Sequence, residues 1–407
     1  MHYEIKKIWG IDCIFAPMQE SNSLTIEISI KAGSHYENQQ EAGISHVLEH
    51  MFFKGGKKWK TPKEVAKAMD SIGATFNAGT GESSTSYYIK SAPQFVNLSL
   101  EMLADMLLDA QFAIPELERE KGVIIQELKM YEDNPISVLH EKWQRFFLGD
   151  SSYGRPIIGF EENILSFTRE QLIAYKNELY TKDNLLITIA GHLENQAELE
   201  HQIEELFSKL PEQKKRKKPE FQWQLPEEKS GFFSKKTEQN HLIISLPWFS
   251  GQKEEKYAAK LLCTILGGNM SSRLFQEIRE KLGICYYIGA GHSVDEEFGI
   301  FSIRAGLDKA KFWFWQEKIY EVLDQMLTEG ITDEEFKNAK SYLKGNIQMG
   351  IESSDEMAWF LGNQYLLYGK ILSLDELLGK YEAVSKQQVE ALFPVLTKEH
   401  RRSFHIE

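Results

Sequence analysis

The chain has 407 residues, of which 42% are hydrophobic and 26% are charged. These values are ordinary for a globular protein that is long enough to form two or more domains. The formal net charge of −13 at pH 7 argues against nucleic acid as the main partner. Simple solubility accounts for this charge, which is also compatible with attraction of basic peptides into an enclosed site.

The sequence gives no sign of a membrane segment or of an export signal. No apolar stretch approaches the length needed to span a bilayer, and residues 1–7 enter a strand-like pattern without the apolar region of a signal peptide. The scattered Cys13, Cys263 and Cys285 show neither metal-binding spacing nor a disulfide framework, and they suit a reducing compartment. We therefore expect a cytoplasmic protein that does not bind membranes.

The first half of the chain predicts a mixture of strands and helices. Residues 23–31 alternate apolar and polar side chains, which is typical of a half-buried strand. An amphipathic helix over 43–53 follows and ends at a Gly-Gly pair. The next helix begins with Thr61 as its cap, Pro62 at its first position and Glu64 closing a capping box. The remaining elements are strands at 74–80 and 84–91, and helices at 94–108 and 115–131.

The second half repeats this order of elements. We predict strands at 241–246, 284–293 and 298–306, and helices at 254–266, 272–282, 309–327 and 333–350; the helix 254–266 also ends at a Gly-Gly pair. The shared order indicates an internal duplication, although α+β plans are common enough for coincidence to be the alternative. The predicted fold is α+β, with two homologous domains that each pack helices on a mainly antiparallel sheet.

The predicted domains cover residues 1–210 and 226–407, and a basic segment over 211–225 joins them. A run of lysine and arginine flanked by prolines is typical of a solvated linker. The run could instead bind acidic surfaces, but its position between the two halves favours a linker.

The run His46-Val47-Leu48-Glu49-His50 is the strongest chemical signal in the chain. Helix positions i and i+4 share one face, so His46 and His50 can direct two imidazoles at one metal ion. Glu49 lies close to that face and is free to act as a base toward water. This order is the reverse of the familiar zinc-protease helix motif. The alternative is that both histidines are ordinary packed or surface residues.

The second half provides an internal control for this motif. If the two Gly-Gly pairs are aligned, Ala258, Leu261 and Leu262 occupy the places of His46, Glu49 and His50. The later segment 336–346 holds no carboxylate. Packing alone therefore does not require histidines at these places, which favours a metal site in the first half.

A further ligand is needed, and the helix over 115–131 offers two carboxylates. Glu120 and Glu127 are seven residues apart and lie on one face after two turns. The spacing alone does not distinguish them from ordinary acidic residues that face solvent.

These motifs resemble those of the pitrilysin-type inverzincin peptidases, in the branch that includes mitochondrial processing peptidase and short bacterial relatives. In that family the third ligand follows the second histidine by 77 residues, which matches Glu127. The resemblance implies one Zn²⁺ per chain, bound by His46, His50 and Glu127, with Glu49 as the general base and Glu120 as an assisting carboxylate. The same ligands would also accept manganese or cobalt.

Two further stretches carry the resemblance. The segment 76–80, with Thr85 and Tyr87, is similar to the family's edge strand, which pairs with the substrate backbone, so Asn77 and Ala78 are implied in substrate binding. The alternative is that Asn77 only shapes a bend. The segments 266–274 and 279–286 resemble the signature of the family's non-metal domain. They imply that Arg279 and Tyr286 contact the substrate and donate to the oxygen where negative charge develops. The alternative places Arg279 on a helix surface and Tyr286 in a strand core.

The resemblance implies a zinc metalloendopeptidase that acts on unfolded peptides or extended polypeptide segments. Longer family members have four such domains in two bowls that enclose a chamber. A two-domain chain should therefore form half of a clamshell and pair as a homodimer, or as a heterodimer with a paralogue, with Arg279 and Tyr286 completing the partner's site. The rival interpretation is a non-catalytic scaffold of the same fold, but such relatives usually have broken metal motifs, whereas this motif is intact. A hydrolase of other substrates is disfavoured by the match to the substrate strand.

Overall fold

The computed structural model describes residues 2–407. Within that range no helix is both long enough and apolar enough to cross a membrane. The described residues form eleven strands: β1 (Glu4–Ile8), β2 (Ile11–Pro17), β3 (Leu24–Ile30), β4 (Thr75–Thr80), β5 (Thr85–Ser91), β6 (Leu185–Gly191), β7 (Ser230–Phe233), β8 (Asn240–Trp248), β9 (Cys285–Val294), β10 (Gly299–Leu307) and β11 (Arg402–Ile406).

The same range forms fourteen α-helices: α1 (Ile44–Phe52), α2 (Pro62–Asp70), α3 (Val96–Leu108), α4 (Ile114–Asp133), α5 (Pro135–Leu148), α6 (Glu161–Ser166), α7 (Arg169–Leu179), α8 (Gln196–Phe207), α9 (Glu255–Gly267), α10 (Phe312–Glu329), α11 (Asp333–Met349), α12 (Ser354–Tyr368), α13 (Leu374–Ala383) and α14 (Lys386–Glu390). Part of the predicted helix 272–282 is a π-helix over Phe275–Lys281.

Two mainly antiparallel sheets form the framework of the protein. The first has the strand order β1-β2-β6-β3-β5-β4 and the second has the order β7-β11-β8-β10-β9. The pairs β2–β6 and β7–β11 are parallel, and the other pairs are antiparallel. The second order repeats the first from β2 onward, strand for strand. This repetition confirms the predicted α+β class with two domains of one plan.

Both faces of the central strand β3 of the first sheet are covered, so the prediction of a half-buried strand at 23–31 was wrong. The isoleucines of β3 join the main core on one face. On the other face Thr25, Glu27 and Ser29 are at most 5% exposed. The reason is α12, which packs on β3 and β6. Its first residue, Ser354, has its hydroxyl 2.8 Å from the Thr25 hydroxyl.

The second sheet is also covered on both faces. One face packs on a core that includes residues of α9, α10 and α11. Helix α5 packs on β8 and β11 at the other face. The Trp143 indole N–H donates to the Ser245 hydroxyl over 2.7 Å, which satisfies both groups in a buried setting.

The two compact units are therefore not continuous in sequence. The first contains residues 2–130, 155–220 and 351–371, and the second contains 131–154, 221–350 and 372–407. The ranges predicted from sequence, 1–210 and 226–407, place α5 and α12 each in the other domain. The predicted ranges and the observed units differ because each helix belongs to the unit whose sheet it covers. The order of the elements in the sequence does not show this packing.

The basic segment 211–225 is partly docked and not wholly solvated. The Arg216 guanidinium donates to Glu41 over 2.8 Å and to Glu178 over 2.7 Å. Within the second unit, the Trp223 indole N–H donates to the Phe147 carbonyl over 2.8 Å. A guanidinium satisfied by two carboxylates at short range is a fixed contact, so part of the run is folded structure.

The predicted start of α2 is correct, but the predicted capping box does not form. The Thr61 hydroxyl accepts a hydrogen bond from the Glu64 amide over 3.3 Å, as expected of a cap. The Glu64 carboxylate accepts from the Lys60 amide over 2.7 Å and not from the amide of Thr61. The carboxylate therefore satisfies the residue just before the cap.

Candidate metal centre

Helix α1 carries the motif residues, and its apolar side chains hold it against the core. Ile44, Val47, Leu48 and Met51 follow helical spacing and are at most 1% exposed. The helix begins at Gly43, whose φ of +95° favours glycine. A Cβ atom there would also lie 2.5 Å from the Ile158 carbonyl oxygen. The core stripe thus fixes the rotation of α1 about its axis.

The buried Glu37 carboxylate anchors the start of α1. Its two oxygens accept hydrogen bonds from the Gly43 amide over 2.8 Å and from the Ser45 amide over 2.9 Å. The Arg155 guanidinium donates to the Glu37 carbonyl over 2.6 Å. Burial raises the pKa of Glu37 to about 7. This anchor could not be predicted from the sequence, because Glu37 lies outside any local capping pattern of α1.

The three predicted ligands converge. One ligand atom each from His46, His50 and Glu127 lies within 4.8 Å of the other two, and within residues 2–407 this is the one cluster of that kind. Glu127 Oε2 is 3.5 Å from His50 Nε2 and 3.8 Å from His46 Nε2. Zinc bonds of about 2.0–2.1 Å in tetrahedral geometry place ligand atoms about 3.3 Å apart. The cluster therefore fits zinc in spacing and in donor type.

The electrostatics of the cluster also suit a metal ion. Burial, together with the neighbouring His50, lowers the pKa of His46 to about 4. A neutral imidazole has the free lone pair that a metal needs. The side chains of the three ligands are 12%, 21% and 26% exposed in the order His46, His50, Glu127. The site is therefore partly open to water and to substrate.

Glu120 lies behind His50 and connects it to Lys54. Glu120 Oε2 is 3.2 Å from His50 Nδ1, and Glu120 Oε1 is 2.7 Å from the Lys54 ammonium. Burial raises the pKa of Glu120, but the hydrogen bonds from His50 and Lys54 outweigh it, and the pKa lies below its ordinary value. A carboxylate on the outer nitrogen of a ligand histidine fixes the orientation of the ring. Lys54 was not predicted, although it follows His50 by four residues.

Glu49 lies on α1 with His46 and His50, and its carboxylate accepts a hydrogen bond from the strand β4. The Thr80 hydroxyl donates to Glu49 Oε2. Burial raises the pKa of Glu49, and the hydrogen bond from Thr80 only partly offsets this effect. A carboxylate with a raised pKa is suited to accept a proton near neutral pH. Thr80 belongs to the segment 76–80 but was not singled out from the sequence.

The strand β4 forms an edge of the first sheet, as predicted for 76–80, whereas Thr85 and Tyr87 lie on the internal strand β5. The Gly81 amide donates to the Ser84 carbonyl over 2.8 Å at the hairpin turn. Since antiparallel pairing alternates, the backbone groups of residues 76, 78 and 80 point away from the sheet. The Ala78 amide donates to the side-chain oxygen of Asn77 over 2.9 Å. The role of Asn77 and Ala78 in substrate binding stays a prediction.

Arg279 and Tyr286 belong to the second unit. The Arg279 guanidinium lies 4.5 Å from the centre of the Phe275 ring, on the π-helical segment. Such segments often occur at functional sites. Tyr286 is 79% exposed on the edge strand β9, so the alternative of a strand core residue was wrong. The predicted contact of both residues with substrate stays a prediction.

The internal control agrees with the structure. Ala258, Leu261 and Leu262 of α9 are at most 4% exposed in the core of the second unit. The second helix thus packs with apolar residues where the first carries His46 and His50. Packing in this fold does not call for histidine at these places.

Comparisons with known proteins agree with this fold. The model "Insulinase (Peptidase family M16)" matches residues 16–160, and the model "Peptidase M16 inactive domain" matches residues 166–343. An uncharacterized zinc protease of Bacillus subtilis is 35% identical, with 94% of this chain and 92% of the relative covered. One of Rickettsia bellii is 34% identical, with 91% and 88% covered.

Solved structures share the fold. A protease from Helicobacter pylori superposes with a TM-score of 0.90 at 19% identity, covering 100% of this chain and 99% of that chain. A peptidase M16 inactive domain structure from Pseudomonas fluorescens has a TM-score of 0.91 at 20% identity, with 100% and 98% covered. At such identities the likeness concerns the fold alone.

The fold and the site define a class: two α+β domains of one plan, with a helix-borne cluster suited to zinc in the first. The chain belongs to the M16 family of peptidases, as its motifs indicated. Its relatives are named zinc proteases.

Proposed function

We propose that this protein is a zinc-dependent endopeptidase that hydrolyses unfolded peptides or extended polypeptide segments. The convergence of His46 and His50 of α1 with Glu127 of α4 carries this proposal. Glu49 lies on α1 between the two histidines. Two imidazoles and one carboxylate are the donor set of many catalytic zinc sites, in which a fourth position stays open. The names of the relatives support the same class.

The chemistry divides between the metal and Glu49. When bound, zinc supplies Lewis acidity, which lowers the pKa of a water molecule and polarises the scissile carbonyl. Glu49 accepts the proton of the attacking water on its carboxylate and later delivers it to the leaving amine. Glu120 keeps His50 in one orientation through Nδ1.

The edge strand β4 supports an extended substrate. Its outward backbone groups at residues 76 and 78 can pair with a peptide backbone, which binds main chain and leaves sequence preference loose. A folded polypeptide cannot supply such a strand, so the substrate must be unfolded or locally extended. The net charge of −13 favours basic peptides among these.

The proposed assembly is a homodimer that encloses a chamber. Arg279 and Tyr286 of one subunit would complete the metal site of the other and donate to the developing oxyanion. A heterodimer with a paralogue is the other form that the family resemblance suggests. Mixing a Glu49→Gln chain with an Arg279→Ala chain should restore part of the activity in the homodimer. No rescue under demonstrated subunit exchange would contradict the shared site.

The test of the function is hydrolysis of a quenched, unstructured basic peptide of about twenty residues, a length suited to enclosure. Glu49→Gln should lower kcat by at least about 100-fold while zinc stays at about one per chain. The exposed Glu162→Gln is the matched control and should keep full activity. Equal activity of Glu49→Gln and wild type, or a wild-type protein with neither zinc nor activity, would refute the proposal.

A further inference from the structure

We infer that Thr80 is a positioning residue for the general base, so that the strand that receives the substrate also sets the direction of the Glu49 carboxylate. This inference rests on the proposed peptidase function. It assigns to Thr80 a role in catalysis that acts through Glu49 and not through the metal ligands.

The contact itself is specific. Thr80 is the last residue of β4, and its hydroxyl donates to Glu49 Oε2. Its backbone amide also stabilises the same carboxylate. A hydroxyl has one proton to donate, so the side-chain bond engages a single carboxylate oxygen, and the amide adds a second contact from the same residue. The carboxylate is then held in a single rotation about its last bond.

The sheet fixes the position of Thr80 independently of α1. Thr80 lies opposite Thr85 on β5. Thr85 is fully buried, and its hydroxyl donates to the Ala32 carbonyl over 2.7 Å. A Cβ on Gly33 would lie 2.4 Å from the Gly81 carbonyl oxygen, so the turn after Thr80 packs tightly on the segment that follows β3. The Thr80 hydroxyl is therefore held in place by the pairing with β5 and by the tightly packed turn that follows it.

This arrangement joins substrate docking to base orientation. A peptide that pairs along β4 meets the outward groups of residues 76 and 78 and then reaches Thr80. The same backbone thus sets both the register of the substrate and the position of the base. Misplacement of a catalytic group by about 1 Å can cost about 100-fold in rate, so loss of the hydroxyl should act on kcat.

Three single variants test the inference on the full-length, zinc-loaded protein with the same quenched peptide. Thr80→Val removes the hydroxyl with little change of shape and should lower kcat about 10- to 100-fold, with KM changed less than about 3-fold. Thr80→Ser keeps the hydroxyl and should retain kcat within about 3-fold. Thr75→Val is the matched control, because it removes an exposed hydroxyl from the same strand without touching Glu49. Zinc content and thermal unfolding are measured on each.

A double variant supplies a further check. If Thr80 acts through Glu49, Thr80→Val should cause no additional loss of kcat in a Glu49→Gln background. Wild-type kcat in Thr80→Val, equal losses in Thr80→Val and Thr75→Val, no rescue by Thr80→Ser, or independent losses in the double variant would each overturn the inference. An inactive wild-type protein would instead overturn the proposed function, and the two failures are thereby distinguished.

Discussion

Glu27 imposes a cost on stability that should depend on pH. Its carboxyl group lies on the face of β3 that α12 covers, is 5% exposed and accepts a hydrogen bond from the Ser29 hydroxyl over 2.9 Å. Burial raises its pKa from 4.5 to about 7. We therefore expect Glu27→Gln to stabilise the protein at neutral and alkaline pH but not at acidic pH.

The magnitude follows from linkage between ionisation and folding. One unit of pKa is worth about 1.4 kcal/mol, so the difference between 4.5 and about 7 corresponds to about 3 kcal/mol. Below about pH 4.5 the group is protonated in the folded and the unfolded chain, and it costs nothing. Between these values the unfolded chain ionises first, and stability falls. Above about pH 7 the whole amount is lost, whereas glutamine loses none of it.

The assay is urea unfolding of wild type and Glu27→Gln at several pH values from about 4.5 to 8. The difference in unfolding free energy should grow from near zero to about 3 kcal/mol, an upper limit that local relaxation reduces. Thr188→Val is the control, because Thr188 lies opposite Glu27 on β6 and its buried hydroxyl oxygen has no hydrogen-bond partner. Its effect should not change with pH. A pH-independent difference for Glu27→Gln, or destabilisation at pH 8, would refute the reasoning.

Two further predictions concern other parts of the first and second units. Lys54→Met removes the ammonium group that holds the Glu120 carboxylate, so zinc affinity measured by competition with a chelator should fall about 10-fold. An unchanged zinc affinity would contradict a role of Lys54 in orienting Glu120. Burial raises the pKa of the Cys13 thiol to about 12 and that of the Cys263 thiol still higher. A thiol reagent at pH 8 should therefore modify at most the half-buried Cys285 in the native protein. Fast labelling of a second thiol would count against this burial.

The features predictable from sequence are those with a local period. The helical spacing of His46 and His50 and the apolar stripe beneath them placed α1, and alternation placed most strands. The distance from His50 to Glu127 spans many elements, and only the family resemblance joined the two. The contacts of Glu37 and Thr80 could not be predicted, because each of them connects a loop or a strand to α1 through the tertiary fold. The burial of Glu27 by α12 could not be predicted for the same reason, since α12 follows Glu27 by more than 300 residues.

The exchange of α5 and α12 between the halves of the sequence has a consequence for synthesis on the ribosome. The first unit includes residues 351–371, so one face of its sheet stays uncovered until most of the second unit has been synthesised. Ile14, Leu186 and Ala190 on that face remain open to water or to chaperones during this time. Helix α5, in contrast, is made before the sheet that it covers. The metal-bearing unit can therefore be completed only after most of the second unit has been synthesised.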